Sequence, residues 1–375
     1  NACTNRGLDL PKRRITVNLS PASLPKRGSG FDVAIAVAAL ATSVDMDAAR
    51  VATTVHVGEL GLDGRLRPVP GVLPSVIAAQ RAGHTRVVVP SANAAEARLV
   101  EGVEVFAAAC LAEVVRWHGG SSDAAELVAV EAPVGAASDE VPLDLADVVG
   151  QPEAVDALIV AAAGGHHILM SGPPGAGKTM LARRLPGILP PLDDEAALSV
   201  ASVRSLAGDT VTRLSRTPPF ESPHHGATAA ALIGGGSGVV RPGAIARASD
   251  GVLFLDEGGE FPASVLDALR QPLESGTIQV HRSGVAATYP ARFQLVVATN
   301  PCPCGQYGVP GGACECPPQA IRRYTRRLSG PLLDRIDIDL RLHRVSSARQ
   351  EGDARVVTSA DARGRVSEAR TRAAR

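Results

Sequence analysis

The densest chemistry in the sequence lies in one eight-residue run: Gly172, Pro173, Pro174, Gly175, Ala176, Gly177, Lys178 and Thr179. Glycines at these positions let successive backbone N–H groups turn toward one anion, and a helix starting at the end of the run adds a favourable dipole. Lys178 is placed to reach the β- and γ-phosphates of a nucleoside triphosphate, and the Thr179 hydroxyl to ligate Mg²⁺. Residues 168–170 before the run read as a strand, and residues 180–185 after it as a helix. That context separates a phosphate loop from a chance glycine turn. Lysine is otherwise scarce. Lys12, Lys26 and Lys178 are the only three among 38 basic residues, which leaves 38 − 3 = 35 arginines.

A second cluster complements the first. Gly251-Val-Leu-Phe-Leu-Asp256-Glu257 reads as a buried strand with two acids at its carboxyl end, where ligands of open α/β sheets bind. Asp256 suits the Mg²⁺ shell, and Glu257 suits a base that polarises water beside a γ-phosphate. Residues 293–298 form a third apolar strand ending at Thr299-Asn300. The Asn300 amide either orients that water or makes an Asx turn before Pro301. Arg335 lies beyond, between Asp334 and Asp337, and spacing alone favours a local salt bridge with one of them.

Four of the six cysteines form two Cys-x-Cys pairs, Cys302/Cys304 and Cys314/Cys316. Four thiolates can hold a tetrahedral Zn²⁺. The other reading is free or redox-active thiols. Cys3 and Cys110 are isolated, and Cys110 reads as core. His224 and His225 are adjacent. On an extended chain they point to opposite sides, which disfavours joint metal ligation.

These groups need a scaffold, and at about 150 residues per domain 375 residues suggest two or three domains. Residues 1–118 read as an α/β unit. Its strands are expected at residues 15–19, 55–60, 87–89 and 103–106, and its helices at 31–41, 75–81, 91–99 (capped by Ser91) and 111–117. Residues 119–143 read as a linker, 144–342 as a second α/β unit, and 343–375 as the start of a helical lid. The chain has no initiator Met and ends inside a helical pattern, so truncation at both ends is expected. Hydrophobic residues make up 45% and charged residues 20%, which argues against disorder. No stretch approaches the ~18 apolar residues of a membrane span, and no secretory signal opens the chain, so a cytoplasmic protein without membrane partners is expected. The 38 basic and 38 acidic residues cancel, which excludes a strongly basic nucleic-acid-coating protein but not local basic patches.

The chain resembles an AAA+ ATPase, and more closely the ComM/YifB family of magnesium-chelatase-like ATPases. The resemblance is carried by residues 10–21, Ser222-Pro-His-His225, Asn300-Pro-Cys-Pro-Cys-Gly305 and Ser329-Gly-Pro-Leu-Leu-Asp-Arg335. It implies a Lon protease-like α/β domain, then a P-loop αβα AAA+ domain with the start of a lid. It also implies a homo-oligomeric motor, a hexamer, that uses ATP and Mg²⁺ for DNA helicase and branch-migration work in natural transformation. The alternative is a magnesium-chelatase-type ATPase that remodels a protein partner.

By the same resemblance Asp256 and Glu257 are the Walker B acids, Asn300 is sensor 1 and Arg335 is the finger acting on a neighbouring subunit. Gly150-Gln151 belongs to the segment near adenine. No sensor 2 arginine is assigned. The hairpin around Arg282 and the insertion at residues 234–238 face the pore, with Arg282, His281 and Arg241 as DNA-backbone contacts. Two departures stand out: Gly258-Gly259 replaces the family's Leu-Pro after the acids, and Arg247-Ala-Ser-Asp250 replaces a segment that usually carries His. The Lon-like domain carries Gly30 where a nucleophilic serine is expected. It also has no lysine near residues 71–74, so it lacks the catalytic dyad of a protease.

Overall fold

The computed structural model describes residues 1–20, 28–123, 143–236, 240–282, 285–309, 311–328, 330–345 and 356–375. The chain divides into two compact α/β units. One holds Asn1–Ala137, Ala201–Leu214 and Gly236–Arg241; the other holds Ser138–Val200, Ser215–Gly235 and Pro242–Arg375. Residues 124–142, most of the expected linker, lie outside the described residues. Among the described residues no helix is long and apolar enough to cross a membrane.

The first unit is built on three parallel strands, Thr54–His56, Arg86–Pro90 and Glu104–Ala108, in that order across the sheet. Val87, Val88 and Val89 are fully buried, as expected of β-branched residues on a strand covered on both faces. Helices Asp32–Leu40 and Leu111–Trp117 bring Val33, Val37, Leu40, Leu111 and Val114 to the same core.

Three expectations change here. The strand at residues 15–19 does not form, and Ile15, Val17 and Leu19 are exposed. Alternation makes a two-faced ribbon, but a strand also needs an edge that accepts its backbone hydrogen bonds. No strand pairs with it among the described residues. The apolar run at 55–60 splits into Thr54–His56 and Glu59–Leu60, and the second piece pairs antiparallel with Leu66–Arg67. The helix expected from Ser91 becomes a 3-10 turn, Ser91–Asn93, followed by Ala94–Ala97, and Ser91 caps neither. Asn93 explains the break: its amide bonds both backbone groups of Val69, each at 3.1 Å.

The second unit carries a five-stranded parallel sheet. Across it lie Ile338–Arg341, Ile168–Ser171, Gln294–Thr299, Val252–Leu255 and Phe220–Glu221, so strands numbered along the chain run 5-1-4-3-2. Every residue of Val252–Leu255 and Gln294–Thr299 is buried, which requires cover on both faces and makes this a three-layer αβα unit. The helix Pro152–Gly164 begins with proline at its first turn and ends on Gly165 at φ +68°, the usual stop and start chemistry. The carboxy-terminal helix Ser359–Ala373 is capped by Thr358 and buries Ala362 and Val366 in the core that holds Leu158 and Ile188. Arg370 Nε donates to Ala162 O at 2.9 Å, so this helix is docked on the helix Pro152–Gly164.

His56 and His118 meet in the first unit with their Nε2 atoms 2.9 Å apart. Burial, and then the neighbouring His118, push the pKa of His56 down from 6.5 to about 4. Between those values the unfolded chain binds a proton that the folded chain refuses. Stability is therefore full above about pH 6.5 and falls as pH drops toward 4. Thermal melts across that range should show this slope, and His56→Gln should flatten it. An equal slope in the variant would contradict the assignment.

Candidate functional site

The phosphate loop grows from the carboxyl end of Ile168–Ser171 and runs into the helix Lys178–Ala182. Gly175 and Gly177 sit at φ +78° and +84°, a region that glycine enters freely. Gly172 answers a different need. A Cβ there would lie 2.5 Å from the backbone oxygen of Leu342, so the neighbouring strand leaves room only for hydrogen.

Lys178 is 9% exposed. Its Nζ donates to Gly172 O at 2.7 Å, Pro173 O at 3.0 Å and Asn300 Oδ1 at 3.1 Å. Burial lowers its pKa from the ordinary lysine value, and the carboxylates of Asp256 and Glu257 act in the opposite direction. Thr179 Oγ1 donates to Asp256 Oδ2 at 2.7 Å. That pairing places a hydroxyl and a carboxylate side by side, the oxygen donor set that suits Mg²⁺. Asp256 Oδ1 also accepts from the backbone N–H of Glu257 at 3.0 Å.

Glu257 has φ +53°, costly for a residue with a Cβ and characteristic of functional turns. Its Oε2 lies 2.9 Å from His225 Nδ1. The rings of His224 and His225 are 4.1 Å apart. They do not point to opposite sides as expected of an extended chain, because the backbone turns here, with Ala227 N donating to His224 O at 2.8 Å.

A cavity of about 360 Å³ is lined by the phosphate loop, Asp256, Glu257, Thr299 and Asn300. A larger one, about 670 Å³, lies by Gly251, Phe293 and Gln294 at the amino ends of the strands. Ligand chemistry in open α/β sheets belongs at the carboxyl ends, where the smaller cavity is. Gln151 Nε2 donates to Ala176 O at 2.8 Å, while its buried Oε1 has no partner. A buried acceptor left open beside the phosphate loop fits a donor on a bound nucleotide. Gly150, at φ +74°, lies against Val345.

The sequence-derived residues therefore converge, with one exception. Arg335 lies away from this cavity. It pairs with Glu274 and donates to Pro331 O at 3.1 Å, and its partner is neither Asp334 nor Asp337. Asp337 accepts instead from the His167 backbone N–H at 2.8 Å.

Three supporting contacts escaped the sequence reading: His225 on Glu257, Arg344 Nε donating to Pro174 O at 3.1 Å, and Arg327 donating to Gly259 O at 2.7 Å. All bridge distant parts of the chain, and only the Ser222-Pro-His-His225 motif offered a signal. At the Gly258-Gly259 departure the neighbouring side chains have closed in. A Cβ at Gly258 would lie 2.5 Å from Val297 Cγ1, and one at Gly259 2.4 Å from Tyr324 Cζ.

The four cysteines come together beside this site. Their Sγ atoms all lie within 4.8 Å of one another. Cys302 is 3.3 Å from Cys304 and 3.7 Å from Cys314, and Cys304 is 3.7 Å from Cys314. A Zn–S bond of about 2.3 Å puts tetrahedral ligands about 3.8 Å apart. The Tyr307 N–H donates to Cys302 Sγ at 3.3 Å. The Gln306 N–H, followed by Cys302, lowers the pKa of Cys304 to about 7.

The expected hairpin forms from Thr277–Arg282 and Val285–Pro290, with His281 exposed. Residues 283–284, 237–239 and 329 lie outside the described residues, as do Lys26 and the side chain of Arg282. Arg241 is exposed. Ser29, next to Gly30, hydrogen-bonds Glu59.

Comparison with known proteins agrees with this geometry. The family model described as magnesium chelatase, subunit ChlI, matches residues 144–350, and a second, subunit ChlI of Mg-chelatase, matches residues 1–93. A Mycobacterium tuberculosis protein is 50% identical over 348 residues, which cover 92% of this chain and 68% of that protein. The competence protein ComM of Haemophilus influenzae is 45% identical over 372 residues, 98% of this chain and 72% of ComM. YifB of Salmonella typhimurium is 46% identical over 345 residues, 91% of this chain and 66% of YifB.

Because Gly259 faces the buried Tyr324 ring, Gly259→Ala should overpack the segment behind Glu257 and cost about 1–3 kcal/mol in denaturant unfolding. An unchanged midpoint would show that the ring yields freely.

Proposed function

The chain belongs to the ComM/YifB family of magnesium-chelatase-like AAA+ ATPases, and from that premise we propose that it is an ATP-driven motor acting on DNA. The observation that carries the proposal is the convergence of Lys178, Thr179, Asp256, Glu257 and Asn300 on one cavity at the carboxyl end of a parallel sheet. Lys178 offsets phosphate charge, and Thr179 with Asp256 supplies the Mg²⁺ donor set. Bound Mg²⁺ neutralises charge that develops on the phosphates. Glu257 polarises the attacking water, His225 holds Glu257 in place, and Asn300 ties the Lys178 ammonium to the adjoining strand end. The open Oε1 of Gln151 faces the nucleotide.

In a ring of identical subunits Arg335 acts on the neighbour's nucleotide. To do so it must leave Glu274. The hairpin carrying His281 offers polar groups to a phosphate backbone, and Arg241, in the other unit, offers a positive one; such binding ignores base sequence and weakens with salt. The four cysteines hold a structural Zn²⁺. A protease role is not part of this reading, because Gly30 stands where the nucleophilic serine is expected and residues 71–74 carry no lysine.

A second reading, an ATPase that remodels a protein partner, is favoured by the chelatase description of both matching family models. One assay separates the two. ATP hydrolysis is measured with and without single-stranded and forked DNA, beside Lys178→Ala. A DNA motor should show DNA-stimulated turnover that Lys178→Ala abolishes. Turnover indifferent to every DNA would favour the remodeller. Arg335→Ala should lower turnover by roughly 10³-fold while leaving ATP binding intact; loss of binding instead would place the residue in its own subunit's pocket.

A further inference from the structure

The cysteine cluster is joined to the nucleotide cavity by two short links. The first runs through the backbone. Only Pro301 separates Cys302 from Asn300, and Asn300 Oδ1 accepts from Lys178 Nζ at 3.1 Å. The second is a packing contact. Gly305 turns at φ +74°, with its N–H donating to Cys302 O at 2.9 Å. A Cβ on Gly305 would sit 2.5 Å from Cδ and 2.8 Å from Cγ of Pro174. The cysteine loop thus lies flat on the phosphate loop, and Arg344 holds the same residue through Pro174 O.

We propose that Cys302, Cys304, Cys314 and Cys316 bind one Zn²⁺ as four thiolates, and that this metal sets the affinity of the nucleotide site by seating Gly305 on Pro174 and Asn300 on Lys178. The proposal rests on the reading of the cavity as an ATP site. Its physics is linkage. Four sulfurs within 4.8 Å of one another repel as thiolates unless a cation offsets their charge, and metal binding at such a site is folding energy for the loop that supplies the ligands. Without the metal the loop between residues 302 and 316 samples other arrangements, so the conformation that backs Pro174 is a fraction of the population. The apparent dissociation constant for nucleotide rises by the inverse of that fraction. The metal touches no phosphate. It acts as a clamp on the loop that does.

The test measures zinc content by elemental analysis and the affinity for a fluorescent ATP analogue by titration, both on the full 375-residue chain. Three preparations are compared: untreated, stripped with a mercurial thiol reagent and chelator, and stripped then resupplied with Zn²⁺. Far-UV circular dichroism follows the fold. We expect one zinc per chain, a rise of roughly tenfold in the dissociation constant on stripping, and recovery on adding Zn²⁺.

Gly305→Ala provides the second arm, since it crowds Pro174 without touching a ligand. It should keep its zinc and its spectrum yet bind the analogue roughly tenfold more weakly. Equal affinity in stripped and loaded protein, or a Gly305→Ala variant with zinc in place and unchanged affinity, overturns the coupling. A chain that takes up no zinc overturns the metal site. Lys178→Ala separates these failures from a failure of the ATP reading: it should abolish binding in every preparation, and binding that survives it removes the premise.

Discussion

An ammonium group withdrawn from water needs oxygen on every side that water has left. The burial of Lys178 is the constraint around which this molecule is arranged. Its three acceptors come from two places: Gly172 and Pro173 within its own loop, and Asn300 at the end of a neighbouring strand. The parallel register that pairs Thr299 with Ser171 brings Asn300 level with the loop. The next strand over places Asp256 against Thr179, one residue beyond the lysine. Strand order and register therefore do the positioning, and the loop needs only to turn.

Close packing accounts for much of the remaining chemistry. Glycine recurs at close approaches: Gly172 against the backbone of Leu342, and Gly305, Gly258 and Gly259 against the side chains of Pro174, Val297 and Tyr324. Each contact leaves no room for a methyl group, and protein interiors transmit such restraints because they are dense. Arg327 adds a second hold on the segment after Glu257 through Gly259 O and the Glu260 carboxylate. The left-handed backbone of Glu257 is thereby locked between a buried strand and an anchored turn. Its side chain is left facing His225.

The site was legible in the sequence wherever its residues are local. The phosphate loop and the Asp256-Glu257 pair announce themselves through spacing and the apolar strands before them. The cysteine cluster was legible as a donor set, though its seat on Pro174 was not. Contacts between distant segments left little trace: Arg335 has acids two residues to one side and one to the other, yet it pairs with Glu274. The alternation at residues 15–19 misled because periodicity records which faces differ and does not supply a neighbouring edge. His224 and His225 misled because their separation was reasoned on an extended chain, where the backbone in fact turns.

The central claim is that Lys178, Thr179 and Asp256 form one site for a nucleoside triphosphate with its Mg²⁺. Calorimetric titration of ATP into the 375-residue chain, with and without Mg²⁺ and beside Thr179→Ala, tests it directly. The expected result is one ATP per chain, bound more tightly with Mg²⁺, with that difference lost in Thr179→Ala. Binding that ignores Mg²⁺ in both proteins, or no binding at all, would contradict the claim.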